Sequence, residues 1–147
     1  MKIHQLSLFL ENRPGQLKVP VRILAEAGIN LLALSLADTQ QFGILRLIVR
    51  DWQRAKEVLA KAGCVVNVTE VLAIDVSDSP GGLADVLDLL EKANLAIEYM
   101  YAFTHGVRGH KAALVFRFED PDAALAAFTK HGINVITPID LFSRVEG

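Results

Sequence analysis

A single cysteine, Cys64, stands in a chain of 147 residues, so no disulfide can close within the chain and a Cys-x-x-Cys metal-carrying turn is absent. Cys64 follows Gly63 in an apolar stretch and is read as a small buried hydrophobe rather than a nucleophile. The chain has no excess of positive charge. Its formal net charge is −2 and no basic run occurs, which removes the electrostatic basis for binding nucleic acid or an anionic membrane. Long hydrophobic runs are lacking too: none reaches the ~18 residues of a membrane-crossing helix. The first residues read as an amphipathic strand rather than a signal peptide, so a soluble, cytoplasmic protein is expected. Also missing are G-x-x-x-x-G-K-[ST], G-x-G-x-x-G and G-x-S-x-G, and neither His4 nor His131 has a recognisable nucleophile near it in sequence. No catalytic residue, metal site or cofactor is therefore expected.

What the chain does have is an internal repeat. Leu10-Glu11-Asn12-Arg13-Pro14-Gly15-Gln16-Leu17 and Val76-Ser77-Asp78-Ser79-Pro80-Gly81-Gly82-Leu83 share a Pro-Gly-x-Leu element placed after an alternating apolar segment. The offset of 66 residues (Pro14 to Pro80) also pairs Leu6 with Leu72, Leu8 with Ile74, Leu24 with Leu90 and Ala27 with Ala93. Further on, Asp51, Ala55, Leu59 and Gly63 match Asp120, Ala124, Phe128 and Gly132 at an offset of 69, so the second copy carries three extra residues, placed within Thr104 to Lys111. Self-similarity at a fixed period reports architecture. Two halves follow, 1–68 and 69–147. Halves of roughly 70 residues have thin cores, so they are expected to pack on each other or on a second chain.

Residues 3–10 alternate with Leu6, Leu8 and Leu10 on one face, the period of a half-buried strand. Leu17, Val21, Leu24 and Gly28 then recur at helical spacing, with Gly28 as the helix-ending residue. Pro20 forfeits a helical hydrogen bond, which predicts a late helix start or a kink. Residues 29–38 and 43–50 read as a hairpin turning at Thr39-Gln40-Gln41, and Asp51 caps a second helix that ends at Gly63. In the other half Asp120 is the cap and Pro121 the first helical residue. Each half thus reads strand, helix, strand, strand, helix, strand. The expected fold class is α+β, with two tandem ferredoxin-like βαββαβ repeats whose antiparallel sheets carry helices on one face. Residues 65–76 read as continuous extended chain rather than a linker, which argues against independent motion of the halves.

Function has to come from a site rather than from this widely used fold. An RNA-recognition reading wants exposed aromatics on the third strand, and Gly43-Ile44-Leu45-Arg46-Leu47-Ile48-Val49 has none. In the second half Tyr99, Tyr101 and Phe103 share a face and Phe116 and Phe118 lie on the next strand, where packing is favoured over base stacking. His105 and His110 flank Gly106-Val107-Arg108-Gly109, two histidines without a third ligand, and are read as a solvated loop. Arg13 in the first strand-to-helix loop admits an acylphosphatase-like hydrolase, but the surrounding loop lacks that family's glycine- and valine-rich character and the second copy has Ser79 in its place.

The repeated turn is the remaining candidate. A Pro-Gly turn leading into a helix presents backbone N–H groups and the positive end of the helix dipole, which suit a carboxylate. Glycine permits close approach, and Asn12 offers a donor and an acceptor. Equally, Pro14-Gly15 and Pro80-Gly81 are explained as well-formed turns alone.

The first loop, followed by Ala27-Gly28-Ile29-Asn30, resembles the ACT domain, a βαββαβ regulatory module that binds free amino acids, and the doubling over residues 2–145 resembles the stand-alone tandem ACT proteins of bacteria. Serine-regulated members carry an asparagine and a glycine like Asn12 and Gly15, and an asparagine after the helix-ending glycine as Asn30 follows Gly28. They have a histidine where this chain has Leu10, which implies a more apolar pocket here. The second copy departs further, with Asp78 for Asn12 and Ala96 for Asn30. The resemblance implies a non-catalytic amino-acid-binding regulator, a homodimer or larger, acting on a metabolic enzyme. Its candidate ligand residues are Asn12, Arg13, Pro14, Gly15, Gln16, Leu17, Gly28, Ile29 and Asn30, with Asp78, Ser79, Pro80, Gly81 and Gly82 in the second copy. The alternative is an assembly module that binds no ligand.

Overall fold

The structure is a computed structural model that describes residues 2–103 and 111–146. It divides into two compact units, His4–Thr69 and Glu70–Gly147 with Met1–Ile3. The expected insertion at 104–110, with His105 and His110, lies outside the described residues.

The first unit follows the predicted order: β1 (Ile3–Glu11), α1 (Lys18–Glu26), β2 (Ala33–Thr39), β3 (Phe42–Ile48), α2 (Trp52–Lys61) and the start of β4 (Val66–Ser77). The strands lie in the order β2-β3-β1-β4, with β1 and β2 both antiparallel to β3. Register follows the hydrophobic alternation. Leu6 faces Leu47 and Leu8 faces Leu45, and these four are buried with Leu24, Ala55 and Leu59 from the helices. Burial of each such leucine is worth about 1.5 to 3 kcal/mol, so slipping β1 by one residue, which would turn Leu6 and Leu8 outward, is strongly disfavoured. Cys64 is half-buried and packs against this core, and His4 stacks on Trp52 with ring centroids 4.5 Å apart.

The helix boundaries have local causes. Leu17 precedes the first helical residue, so Pro20 falls within the first turn of α1, where its missing N–H has no intrahelical acceptor to lose. The helix therefore starts late rather than kinking. At the other end Gly28 takes φ +72, and the N–H groups of Gly28 and Ile29 donate to the carbonyls of Ala25 and Leu24. Asp51 caps α2 by accepting from the Arg54 N–H at 3.1 Å. The hairpin strands are shorter at one end than the apolar pattern suggests: residues 29–32 form a connection, tied by the Leu32 N–H to Ile48 O at 2.9 Å.

The second unit contains the rest of β4, then α3 (Gly82–Lys92), β5 (Ile97–Ala102), β6 (Lys111–Phe118), α4 (Pro121–Lys130), the two-residue β7 (Val135–Ile136) and α5 (Pro138–Glu146). Its strand order β7-β4-β6-β5 repeats that of the first unit. Leu72 faces Phe116, and Phe116, Phe118 and Phe128 form the aromatic centre of the core, with successive ring centroids 5.9 Å apart. The second-copy phenylalanines are thus packing residues. A register irregularity between Ile97 and Tyr99 lets Met100 pack on this core. Asp120 caps α4 through the Ala123 N–H, with Pro121 as the first helical residue.

Helix α5 goes beyond the expected repeat. Thr137 Oγ1 accepts from the Asp140 N–H at 3.1 Å and Pro138 opens the helix. Leu141 is fully buried, and Arg144 forms a two-pronged ion pair with Asp75 on β4 at 2.8 and 2.9 Å. Both side chains are more than nine-tenths buried. The Asn134 amide also donates to Asp75 at 2.8 Å. The Arg144 guanidinium, with help from Asn134, holds the Asp75 carboxyl below the usual carboxylate range against a burial effect that pushes it up. Since Asp75 alternates with the core residues Ile74 and Val76, α5 covers the sheet face opposite α3 and α4.

Candidate functional site

The first strand-to-helix loop leaves β1 at Glu11 and reaches α1 at Lys18. Its backbone is already partly bonded: the N–H groups of Asn12, Arg13 and Gln16 donate to Gln41 O, Glu11 O and Arg13 O. Pro14 has no N–H. Gly15 sits at φ +87, a left-handed conformation that favours glycine, with open space where a side chain would go. Among the described residues, Gly15 and Leu17 make no backbone hydrogen bond through their N–H groups, so these two donors are available just ahead of α1.

The Asn12 side chain is spent differently from expectation. Its amide nitrogen donates to Gln40 O at 3.1 Å and to Asp38 Oδ1 at 3.3 Å, which ties the loop to the β2–β3 turn. Arg13 is paired with the carboxylate of Glu11. Between this loop and the hairpin lies a cleft of about 180 Å³. Its apolar walls are Leu10, Leu17, Leu36, Ala37 and Gly43, and its polar rim is Glu11, Asn12, Arg13 and Asp38. Leu36 is half exposed, at 51%. Leu36, Ala37, Asp38 and Gly43 were not singled out by sequence, because a hairpin distant in the chain reaches the loop only through the split strand order. An acidic residue two places before the Gln40-Gln41 turn, on an otherwise uncharged strand, is the available signal.

Gly28, Ile29 and Asn30 lie at the far end of α1. A helix of nine residues is about 14 Å long, so one unit does not bring Asn30 to the Asn12 loop. The second loop is built more tightly. Gly81 has φ +88 and precedes α3, and a Cβ on Gly82 would stand 2.0 Å from Ser77 O. Gln16, the counterpart of Gly82, carries a real Cβ, so the first loop must stand further from the end of its strand. Ser77 and Ser79 share a hydroxyl hydrogen bond of 2.7 Å, and the Gly82 N–H donates to Ser79 O.

A larger cleft of about 530 Å³ runs between α3 and α4, lined by Asp85, Asp88, Lys92, Lys130 and their neighbours. It has a simple origin. In the first unit Arg54 bridges the two helices by donating to Ala27 O at 2.7 Å, and its counterpart at the offset of 69 is Ala123. Among the described residues no group of three His, Cys, Asp or Glu side chains could hold a metal, and no helix is long and apolar enough to cross a membrane.

The family model described as "ACT domain pair" matches residues 1–144. Among solved structures, protein BT0572 from Bacteroides thetaiotaomicron is 37% identical, with 97% of this chain and 96% of that one covered and a TM-score of 0.88. The regulatory subunit of aspartate kinase from Thermus thermophilus, in a ligand-free form, is 18% identical over 86% of this chain and 91% of that one, with a TM-score of 0.60, a likeness of fold. The corresponding subunit from Thermus flavus is 19% identical over 88% and 93%, with a TM-score of 0.58. No curated protein matches the chain. The twofold βαββαβ architecture, the repeated Pro-Gly loops and the match over nearly the whole length place this chain in the ACT domain pair family.

Proposed function

We propose that this chain is a non-catalytic regulatory protein that binds a free amino acid at the first strand-to-helix loop. The observation that carries the reading is the cleft at that loop, where Leu17, the positive end of α1 and an apolar wall meet, with the Gly15 N–H two residues before Leu17. The ligand carboxylate rests on those N–H groups. Asn12 and Asn30 are the two asparagines that the resemblance to serine-regulated members offers to a ligand. Asn12 contributes chiefly by fixing the loop, and Asn30 reaches a ligand held by a second copy of the chain. The second loop, with Asp78 and the close-packed Gly82, is the weaker site.

The edge of the sheet bears on assembly. In the strand order β2 is terminal, and it carries the half-exposed Leu34 and Leu36. An apolar edge strand invites pairing with another chain, which supports a homodimer or larger and equally supports an assembly module without ligand. The ion pair of Arg13 with Glu11 argues against the hydrolase alternative, because a phosphate would compete with a carboxylate already in place. The regulated partner would be a metabolic enzyme, as separate regulatory subunits of this fold exist beside aspartate kinase. A thermal-shift series over the twenty amino acids tests the proposal: stabilisation by at least one, lost in Gly15→Val, supports it, and no shift with any of them overturns it.

A further inference from the structure

We propose that Asp38, at the end of β2, accepts the ammonium group of the bound amino acid, and that the cleft selects a small aliphatic side chain. This rests on the reading of the first loop as an amino-acid site and deepens it. Both amide N–H bonds of Asn12 are committed, one to Gln40 O and one to Asp38 Oδ1, so Asn12 has no role left as a donor. An ammonium needs an acceptor, and the cleft offers two carboxylates, Glu11 and Asp38, beside the neutral Oδ1 of Asn12. Glu11 is neutralised by Arg13. Asp38 pairs with no cation among the described residues and its Oδ2 is unoccupied by Asn12. The four charged and polar rim groups thus leave one uncompensated negative charge, that of Asp38. A charge-assisted hydrogen bond there is roughly twice as strong as one to a neutral amide.

The rest of the cleft sets the side chain. Leu10, Leu17, Leu36 and Ala37 present no side-chain donor or acceptor, so a polar or charged ligand side chain would lose its water without compensation. The volume of about 180 Å³ falls below the ~300 Å³ at which drug-sized sites begin. Gly43 sets the position of this wall, since a Cβ there would lie 3.2 Å from Leu36 Cδ1. L-valine, L-isoleucine and L-leucine combine an aliphatic body with the required ammonium and carboxylate.

Calorimetric titration of the full chain tests this with two variants. L-Leucine, L-isoleucine or L-valine should bind at least tenfold more tightly than L-aspartate, L-lysine or L-serine. Asp38→Asn keeps an acceptor for Asn12 but removes the charge, and should weaken the best aliphatic ligand at least tenfold without changing the melt. Leu36→Ala should shift the preference about tenfold toward L-methionine and L-phenylalanine. If a polar or charged amino acid binds best, or Asp38→Asn changes affinity less than twofold, the proposal falls while the amino-acid site stands. An unchanged order of preference in Leu36→Ala likewise removes the selectivity claim, even if Asp38→Asn fails to fold. Wild-type protein that binds none of the six overturns the aliphatic selectivity, and binding of none of the twenty amino acids overturns both readings.

Discussion

Gly82 and Gln16 occupy corresponding places in the two copies, and the difference between them is expected to leave the first loop the more open. In Gly82→Ala the new methyl would meet the Ser77 carbonyl at 2.0 Å, so strand or helix must move, with an expected loss of about 1 to 3 kcal/mol in denaturant unfolding. Gly15→Ala meets no atom, and only its left-handed φ of +87 is strained, which predicts a loss of about 1 to 2 kcal/mol. Asn12→Ala removes the tie to Asp38 and Gln40 and should weaken amino-acid binding by about 1 to 3 kcal/mol. Asp78→Ala should weaken it less; equal losses by calorimetry would contradict the unequal loops. The Asp75–Arg144 pair carries a different prediction. Because the native Asp75 carboxyl is depressed, its stabilisation is fully present above its unfolded value of about 4 and disappears as the pH falls through the lower native value. Wild-type protein should therefore lose more melting temperature than Asp75→Asn between pH 5 and 2. At neutral pH, Arg144→Ala strands a buried carboxylate and should cost about 3 to 5 kcal/mol.

At the scale of elements, apolar alternation and Asp caps were enough to give the order of both repeats, because each pattern answers to local geometry. Leu6, Leu8 and Leu10 read as a strand and behave as one; Asp51 and Asp120 cap the helices that follow them. Helix α5 was the element not foreseen. Its signal was present in Thr137-Pro138-Ile139-Asp140, a capping sequence with proline at the first helical position, but the repeat period directed the reading to residues with a counterpart, and α5 has none. Thr137→Ala should cost about 1 kcal/mol of stability, measured by chemical denaturation. The site was half legible. Gly15 announced the turn, whereas Asp38 and Leu36 reach the loop through a hairpin more than twenty residues away in sequence, a proximity that only the split strand order creates. The commitment of the Asn12 amide could not be read at all, since it depends on where the Gln40 carbonyl points.

For the molecule as a whole, two predictions concern assembly and ligand. The terminal strand β2 with its exposed leucines predicts sedimentation at twice the mass of the 16.1 kDa chain or more, with a charged substitution such as Leu34→Lys shifting the equilibrium toward monomer. The duplication has kept the fold in both copies while the loops have diverged, so one open site per chain is expected rather than two. Calorimetry of the wild-type chain against aliphatic L-amino acids tests that claim most directly. Saturable binding with close to one ligand per chain is expected, matched by about 2.7 kcal/mol of added stability at ~100 times the dissociation constant. Two equivalent sites per chain would contradict the unequal loops, and no heat or stabilisation with any of the twenty amino acids would contradict the amino-acid site itself.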